Sequence, residues 1–264
     1  MAEFLSEWTR LGRPRLLATW AVLTAVFAAL INTVMFSTVA RHRSTPTNGP
    51  GVAFPTYSRL QAAGGLTAGL SAAASMFGVL TLAIWATATA SDYSTGLVRI
   101  LVAAQPLRSR LLAGKVAALA ILTAAACAVA VMVDTAVAPA AAHAAGISTA
   151  AWKSGAAGTI AAGWLNLYLA TVVWGLIGLV LAVVTLSSSA AISIGVGWVL
   201  LVEGVVKTAV KSVGRWLPGT TLSSLAGSGS AGQPYHRALL LGALYAAVCW
   251  VVSWQVFRRR EITE

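Results

Sequence analysis

The stretch SGAAGTIAAGWLNLYLATVVWGLIGLVLAVVTLSSSAAISIGVGWVLLV, from Ser154 to Val202, decides the fold of this chain because it contains no Asp, Glu, Lys, Arg or His. At 1.5 Å of rise per residue, roughly fifty residues are too many for one crossing of a bilayer and about right for two. The polar run Ser187-Ser188-Ser189 is the natural position for a tight turn between them. The stretch therefore predicts two consecutive membrane-spanning helices.

The composition of the whole chain also indicates a membrane protein. Apolar residues make up 58% and charged residues 9%, with a mean hydropathy of +0.81. An ordinary soluble domain has roughly 45–50% apolar and about 25% charged residues. We expect an all-α membrane protein with a single transmembrane domain over residues 1–264. Its six transmembrane helices are predicted at residues 16–40, 64–90, 115–138, 156–186, 190–207 and 238–257.

The basic residues predict the orientation of the chain in the membrane. Both termini and the loop between spans two and three carry Arg and Lys close to helix ends, as cytoplasmic segments do. These residues are Arg10, Arg13, Arg15, Arg99, Arg108, Arg110, Lys115, Arg258, Arg259 and Arg260. We expect a multi-pass protein of a bacterial-type plasma membrane with both termini in the cytoplasm. The net charge of +11 fits contacts with anionic lipid headgroups and does not indicate nucleic-acid binding.

Two segments outside the spans carry helical patterns at the membrane surface. Phe4, Trp8 and Leu11 recur at helical spacing and predict an N-terminal amphipathic interfacial helix before span one. Between spans five and six, the composition predicts a short interfacial or re-entrant helical piece around residues 209–216. A flexible strip rich in Gly and Ser, up to residue 236, is expected to come after it.

The loop between spans two and three has the pattern of a short amphipathic helix. Leu97, Ile100, Leu101 and Ala104 fall at i, i+3, i+4 and i+7, and Pro106 ends this helix or starts the next. Such a helix is suited to docking a partner protein. By spacing alone, a partner-docking helix and a simple interfacial helix both remain open.

Polar residues in the spans are few, and three of them are candidates for a substrate translocation path. Asn32 lies within span one, and Asp134 and Glu203 lie toward the outer ends of spans three and five. An acid embedded in a membrane is a functional candidate because its burial is costly. The alternatives are an interhelical hydrogen bond for Asn32 and an i, i+4 ion pair with Lys207 for Glu203.

Small residues recur on span two at a spacing that allows close helix contact. Gly65, Gly69 and Ala73 form a small-xxx-small series. Packing inside the subunit is the preferred interpretation, and a dimer seam is the alternative.

The loop after span two resembles the signature of ABC-2-type transporter permeases. The resemblance is carried by SDYSTGLVR at residues 91–99, QPLRSR at residues 105–110 and Gly114-Lys115. In that family an acidic residue ends span two, a Pro and one or two Arg come next, and a Lys opens span three. Asp92 stands where the family more often has Glu. The order of six spans around this loop and the closing Arg-Arg-Arg-Glu agree with the same layout.

The resemblance implies the pore-forming subunit of an exporter that is powered by a separate ABC ATPase. A second permease copy or a related permease would complete it, and ATP and Mg would bind the partner ATPase and not this chain. The loop would sit in a groove of the ATPase, with Leu97, Ile100 and Leu101 buried in the contact. Asp92, Arg99, Arg108 and Arg110 would be rim contacts or braces on the loop. Gly96, Pro106 and Lys115 would complete the docking loop. A hydrophobic or amphipathic drug, antibiotic, lipid or peptide would be the cargo.

The residues themselves agree that the chain has no nucleotide-binding motif of its own. Gly114-Lys115 is followed by Val116 and lacks the Gly that a P-loop has five residues earlier. An ATP-independent secondary transporter or channel is the alternative function, and it would need buried acids or broken spans. An intramembrane enzyme is a third class, but no catalytic or metal-ligand spacing appears within a span.

Overall fold

The computed structural model describes residues 14–42, 48–49, 52–95, 108–229 and 233–259. Within them the helices are α1 Pro14–Arg41, α2 Tyr57–Gln61, α3 Ala68–Ala72, α4 Ala74–Ser94, α5 Arg108–Ala144, α6 Ala156–Thr185, α7 Ser188–Gly197, α8 Glu203–Ala209, α9 Lys211–Gly214, α10 Pro218–Ala226 and α11 Tyr235–Arg259. There are also 3-10 helices at Ala63–Thr67 and Ala150–Lys153, a π-helix at Trp198–Val202, and antiparallel strands β1 Asn48–Gly49 and β2 Val52–Ala53.

Six helices in the described ranges are long and apolar enough to cross a membrane, which confirms the predicted α-helical, six-span class. They run over Leu17–Arg41, Ala74–Ser94, Ser109–Ala144, Ala156–Thr185, Ser188–Lys207 and Tyr235–Arg258. The fifth combines α7, the π-helix and α8. The segments predicted to form the N-terminal amphipathic helix and the amphipathic helix of the loop at residues 96–107 lie outside the described residues, so both helices stay predictions.

Span two is not one continuous helix. The chain turns through the 3-10 helix Ala63–Thr67 and the short helix α3, and a break at Ala73 (φ −89°, ψ 0°) precedes α4. Span three, in contrast, continues to Ala144 with Pro139 inside the helix. A Pro in a helix interior removes one backbone hydrogen bond, and Pro139 lies on an exposed face of α5.

Short elements close one side of the bundle, which we call the capped side and define by α2 and the two 3-10 helices. The Trp152 indole N–H donates to the Leu60 carbonyl oxygen at 2.8 Å and joins the two segments. Trp152 also lies over Phe36 of α1, with ring centroids 6.0 Å apart. A Cβ on Gly65 would lie 2.6 Å from the Trp152 Nε1, so this contact requires glycine.

Helices α4 and α6 pack closely because glycines on each helix receive large side chains from the other. Trp174 of α6 fills the space over Gly78, and Trp85 of α4 fills the space over Gly175. At Gly178 the α6 backbone lies directly against the Leu82 backbone of α4. Contacts of this kind give membrane helices their van der Waals attraction, since lipid offers no hydrophobic driving force between them.

The strip after residue 216, predicted to be flexible, instead contains helix α10, and that prediction is wrong. The short helix expected around residues 209–216 is present as α9. Helix α10 packs against α3, α4, α6 and α11, and it buries Leu222 and Leu225 in one apolar cluster with Trp174. The Ser75 and Ser223 hydroxyl oxygens lie 2.9 Å apart and connect α4 with α10. The surrounding helices supply the burial that the short sequence cannot provide for itself.

Candidate functional site

A buried ion pair joins the two helix ends that flank the loop at residues 96–107. Asp92, in the last turn of α4, pairs with Lys115 in the second turn of α5. Their side chains are only 7% and 8% exposed. We call this side of the bundle, where α4 ends and α5 begins, the loop side. The pair fixes the distance between the two ends of the loop.

The other residues predicted to dock the ATPase lie only partly within the described ranges. Arg108 is the first residue of α5, and Arg110, two residues further along the helix, is exposed. Gly96, Leu97, Arg99, Ile100, Leu101 and Pro106 lie outside the described residues. Their contribution to docking therefore stays a prediction.

A second polar pair lies deep in the bundle and links α1 with α5. Asn32 and Asp134 are both fully buried, and the Asn32 amide Nδ2 donates to Asp134 Oδ1 at 2.5 Å. The interhelical hydrogen bond expected of Asn32 is present. Helix α5 continues well beyond Asp134, which places this carboxyl inside the bundle rather than at its edge.

Gly69 of α3 packs directly against the Asn32 and Asp134 side chains, so a third helix contacts the pair. A Cβ at this position would lie 2.5 Å from Asn32 Oδ1 and 2.6 Å from Asn32 Nδ2, and it would also collide with Asp134 Oδ1. The small-residue series of span two thus serves packing inside the subunit, as predicted. The absence of a side chain at Gly69 lets the two polar groups approach the α3 backbone.

The third polar residue of the predicted path, Glu203, lies in a different contact. Its carboxyl group is buried and its Oε1 accepts a hydrogen bond from the Gly219 backbone N–H at 2.7 Å, at the start of α10. The Lys207 ammonium lies 3.4 Å from Glu203 Oε2, which confirms the expected i, i+4 pair. A carboxylate at a helix N-terminus satisfies a backbone donor and the helix dipole together.

The three residues predicted to form a translocation path therefore separate into two sites, and neither opens to solvent in this conformation. A cavity of about 270 Å³ lies elsewhere between α1, α4 and span five. Its lining is apolar apart from one hydroxyl and consists of Phe27, Ser75, Met76, Val79, Leu80, Ala83, Val196, Val199 and Leu200. The role of Asn32, Asp134 and Glu203 in translocation stays a prediction.

A network on the capped side was not found from the sequence. Asn166 of α6 donates to the Ser228 hydroxyl at 2.9 Å and accepts from the Tyr235 hydroxyl at 2.7 Å. The Arg59 guanidinium donates to the Gly227 carbonyl oxygen at 3.2 Å. These bonds hold the C-terminal end of α10. The sequence feature that could have indicated helix α10 is Pro218, because proline is favoured at the first position of a helix.

Comparison with known protein families gives one match along nearly the whole chain. A model of proteins of unknown function, DUF2705, matches residues 21–263. The chain belongs to the DUF2705 family. Comparison with curated proteins gives no match.

The contacts that contain a buried acidic side chain, namely Asp92–Lys115, Asn32–Asp134 and Glu203–Gly219, all lie inside the matched DUF2705 region. Their members are Asn32, Asp92, Lys115, Asp134, Glu203 and Gly219. Within the described residues, no group of three or more His, Cys, Asp and Glu side chains is placed to hold a metal ion. The arrangement can brace helices through buried charge and can hold a proton on a buried carboxyl group.

Proposed function

We propose that this chain is the membrane-spanning subunit of an ATP-driven, ABC-2-type exporter, working with a separate ATPase and a second permease subunit. The cargo class is a hydrophobic or amphipathic molecule. The observation that carries the proposal is the Asp92–Lys115 ion pair. Both residues belong to the loop motif on which the resemblance to ABC-2 permeases rests, and the fold brings them together at the base of that loop.

The energetic cost of this ion pair supports a mechanical role. Burying two charges costs several kcal/mol for each ion, so such a pair is poor evidence for stability and better explained by positioning. Here it fastens the end of α4 to the start of α5. Helix α4 is in turn packed against α6 through the contacts of Trp85 and Trp174. Force applied to the loop would therefore move three spans as a unit.

The proposed docking of an ATPase also determines how the chain is oriented in the membrane. An ATPase that hydrolyses cytoplasmic ATP must bind on the loop side, which therefore faces the cytoplasm. The basic residues at the start of α5 and the end of α11 agree with this orientation under the positive-inside rule. Both termini are then cytoplasmic, and the capped side faces outward in a bacterial-type plasma membrane.

Reversal of the two arginines at the start of α5 tests the proposal. The tagged chain is purified gently from its native cells and the bound proteins are identified by mass spectrometry. We expect a stoichiometric ATPase with P-loop motifs. The variant Arg108→Glu/Arg110→Glu should lose most of this ATPase at an unchanged level of chain in the membrane. Arg41→Glu replaces an arginine that is exposed, as Arg110 is, but lies on the capped side, and this control should retain the ATPase.

The same purification can also contradict the proposal. If the purified chain is folded and abundant but brings down no ATPase even after crosslinking, ATP-driven transport is the wrong class. If the Arg108→Glu/Arg110→Glu variant retains both the ATPase and transport, only the docking role of the loop is rejected, and ATP-driven transport stands.

An ion-coupled secondary transporter is the second candidate, because one acid is fully buried beside a broken span. Asp134 lies against α3, the short segment that precedes the break at Ala73. Interrupted helices around a buried acid are common in ion-coupled transporters. Uptake or release by reconstituted vesicles that tracks an imposed pH gradient without ATP would favour this function over the first.

A further inference from the structure

The Asn32–Asp134 pair contains two buried oxygen atoms that its hydrogen bonds leave unsatisfied. Asp134 Oδ1 accepts from the Asn32 amide, whereas Asp134 Oδ2 has no partner among the described residues. The Asn32 amide nitrogen donates twice, to Asp134 and to the Ala28 carbonyl oxygen at 2.9 Å, but the Asn32 Oδ1 receives no hydrogen bond from the described part of the chain. A buried polar atom without a hydrogen-bond partner keeps the cost of losing its contact with water.

Within the described residues, no cation compensates the charge that an ionised Asp134 would carry. The apolar cluster around the pair is formed by α1, α3, α4, α5, α6 and the capped side. Its titratable members are Tyr57, Cys127 and Tyr168, none of them cationic. Along α1 and α5 toward the capped side, the first residues able to carry positive charge are Arg41 and His143. Each is about two and a half helical turns from the pair. An isolated carboxylate in these surroundings would be strongly unfavourable.

A single proton would satisfy both of the orphaned oxygens. A carboxylate can only accept hydrogen bonds, but a carboxylic acid also donates one. A proton on Asp134 Oδ2 gives that atom a donor, and the acceptor that lacks a donor is the neighbouring Asn32 Oδ1. The contacts at Gly69 show that the Asn32 amide oxygen and Asp134 Oδ1 lie beside the same backbone position. A protonated Oδ2 turned toward Asn32 Oδ1 would complete a cyclic amide–acid pair with two hydrogen bonds.

We propose that Asn32 and Asp134 form a proton-binding site in which Asp134 is a neutral carboxylic acid that donates from Oδ2 to Asn32 Oδ1. In the conformation described, the site is closed by Gly69 of α3. Proton exchange therefore requires a local movement that separates Gly69 from the pair. The proposal does not rest on ATP-driven export.

Aspartate labelling offers a direct test because the chain contains only two aspartates, Asp92 and Asp134. The full chain is prepared with ¹³C-labelled aspartate side-chain carboxyls, placed in lipid nanodiscs, and studied by infrared spectroscopy near neutral pH. An isotope-shifted carbonyl band of a protonated carboxylic acid is expected from Asp134. Asp92, which is paired with Lys115, is the internal reference and should give only the carboxylate bands.

Two variants assign the band. Asp134→Asn should remove it while keeping the fold, because an amide reproduces the neutral shape of the acid. Asn32→Leu should shift the band by removing its hydrogen-bond partner. Should one variant fail to fold, the other still assigns the band, because Asn32 contacts Asp134 and lies on a different side of the bundle from Asp92.

Two results would overturn the proposal. In the first, folded wild-type protein shows only carboxylate bands at neutral pH, so that Asp134 is ionised. In the second, the acid band appears only when sodium is removed, which would make the pair a monovalent-cation site. A band that is insensitive to sodium and absent from Asp134→Asn would establish proton binding.

Discussion

Replacing Gly178 by alanine should destabilise the bundle, because the backbones of α4 and α6 are in contact at this residue. An alanine Cβ would lie 3.0 Å from the Leu82 Cα and carbonyl carbon, and closer still to its carbonyl oxygen. Backbone atoms cannot rotate away as a side chain can, so the two helices must separate. Overpacking of this kind costs about 1–3 kcal/mol.

The measurement is thermal unfolding of the purified chain in one detergent, monitored by tryptophan fluorescence. For a chain of this size, each 1 kcal/mol corresponds to roughly 2–4 °C, so Gly178→Ala should lower Tm by several degrees. Gly158→Ala is the matched control on the same helix, because nothing lies within 4 Å of a Cβ there. It should leave Tm unchanged or raise it, since alanine favours helix by up to about 1 kcal/mol. Equal Tm values for Gly178→Ala and the wild type would refute the close contact between α4 and α6.

Substitutions at Asp92 and Glu203, each with a comparison variant, probe the buried charges by thermal unfolding, with hydrogen exchange added for Glu203. Asp92→Asn should lower the stability by about 3–5 kcal/mol because it removes the buried partner of Lys115, and the exchange Asp92→Lys/Lys115→Asp should recover part of the loss. No recovery would indicate that the pair is not a mutual contact. Glu203→Ala should cost about 1–3 kcal/mol and speed hydrogen exchange at the Gly219 amide, which loses its acceptor. The Lys207 side chain is 41% exposed, so Lys207→Ala should cost less than about 1 kcal/mol. Equal losses of stability in Glu203→Ala and Lys207→Ala would contradict the capping role of Glu203.

The polar sites show how far residue types lead without coordinates. Asn32 and Asp134 stand out in the sequence because each is a polar residue in an apolar stretch. Their pairing across 102 residues was not predictable, since it depends on how α1 and α5 are rotated about their axes. The Glu203–Lys207 pair was predictable, because i, i+4 residues are neighbours on any helix. The contact of Glu203 with Gly219 was not, because it requires a fold of the chain between spans five and six.

The sequence by itself determined the membrane class and the number of spans. Spanning is a local property, set by whether about 20 consecutive residues are apolar enough to replace water with lipid. Only the tertiary structure decided that span two is broken at Ala73, that α10 is a packed helix, and that Asp92 meets Lys115. These features depend on neighbours distant in sequence: α10 is helical because α4, α6 and α11 bury its apolar residues. The physical reason is that burial of a short or interrupted segment is supplied by other parts of the chain, and no local pattern records which parts they are.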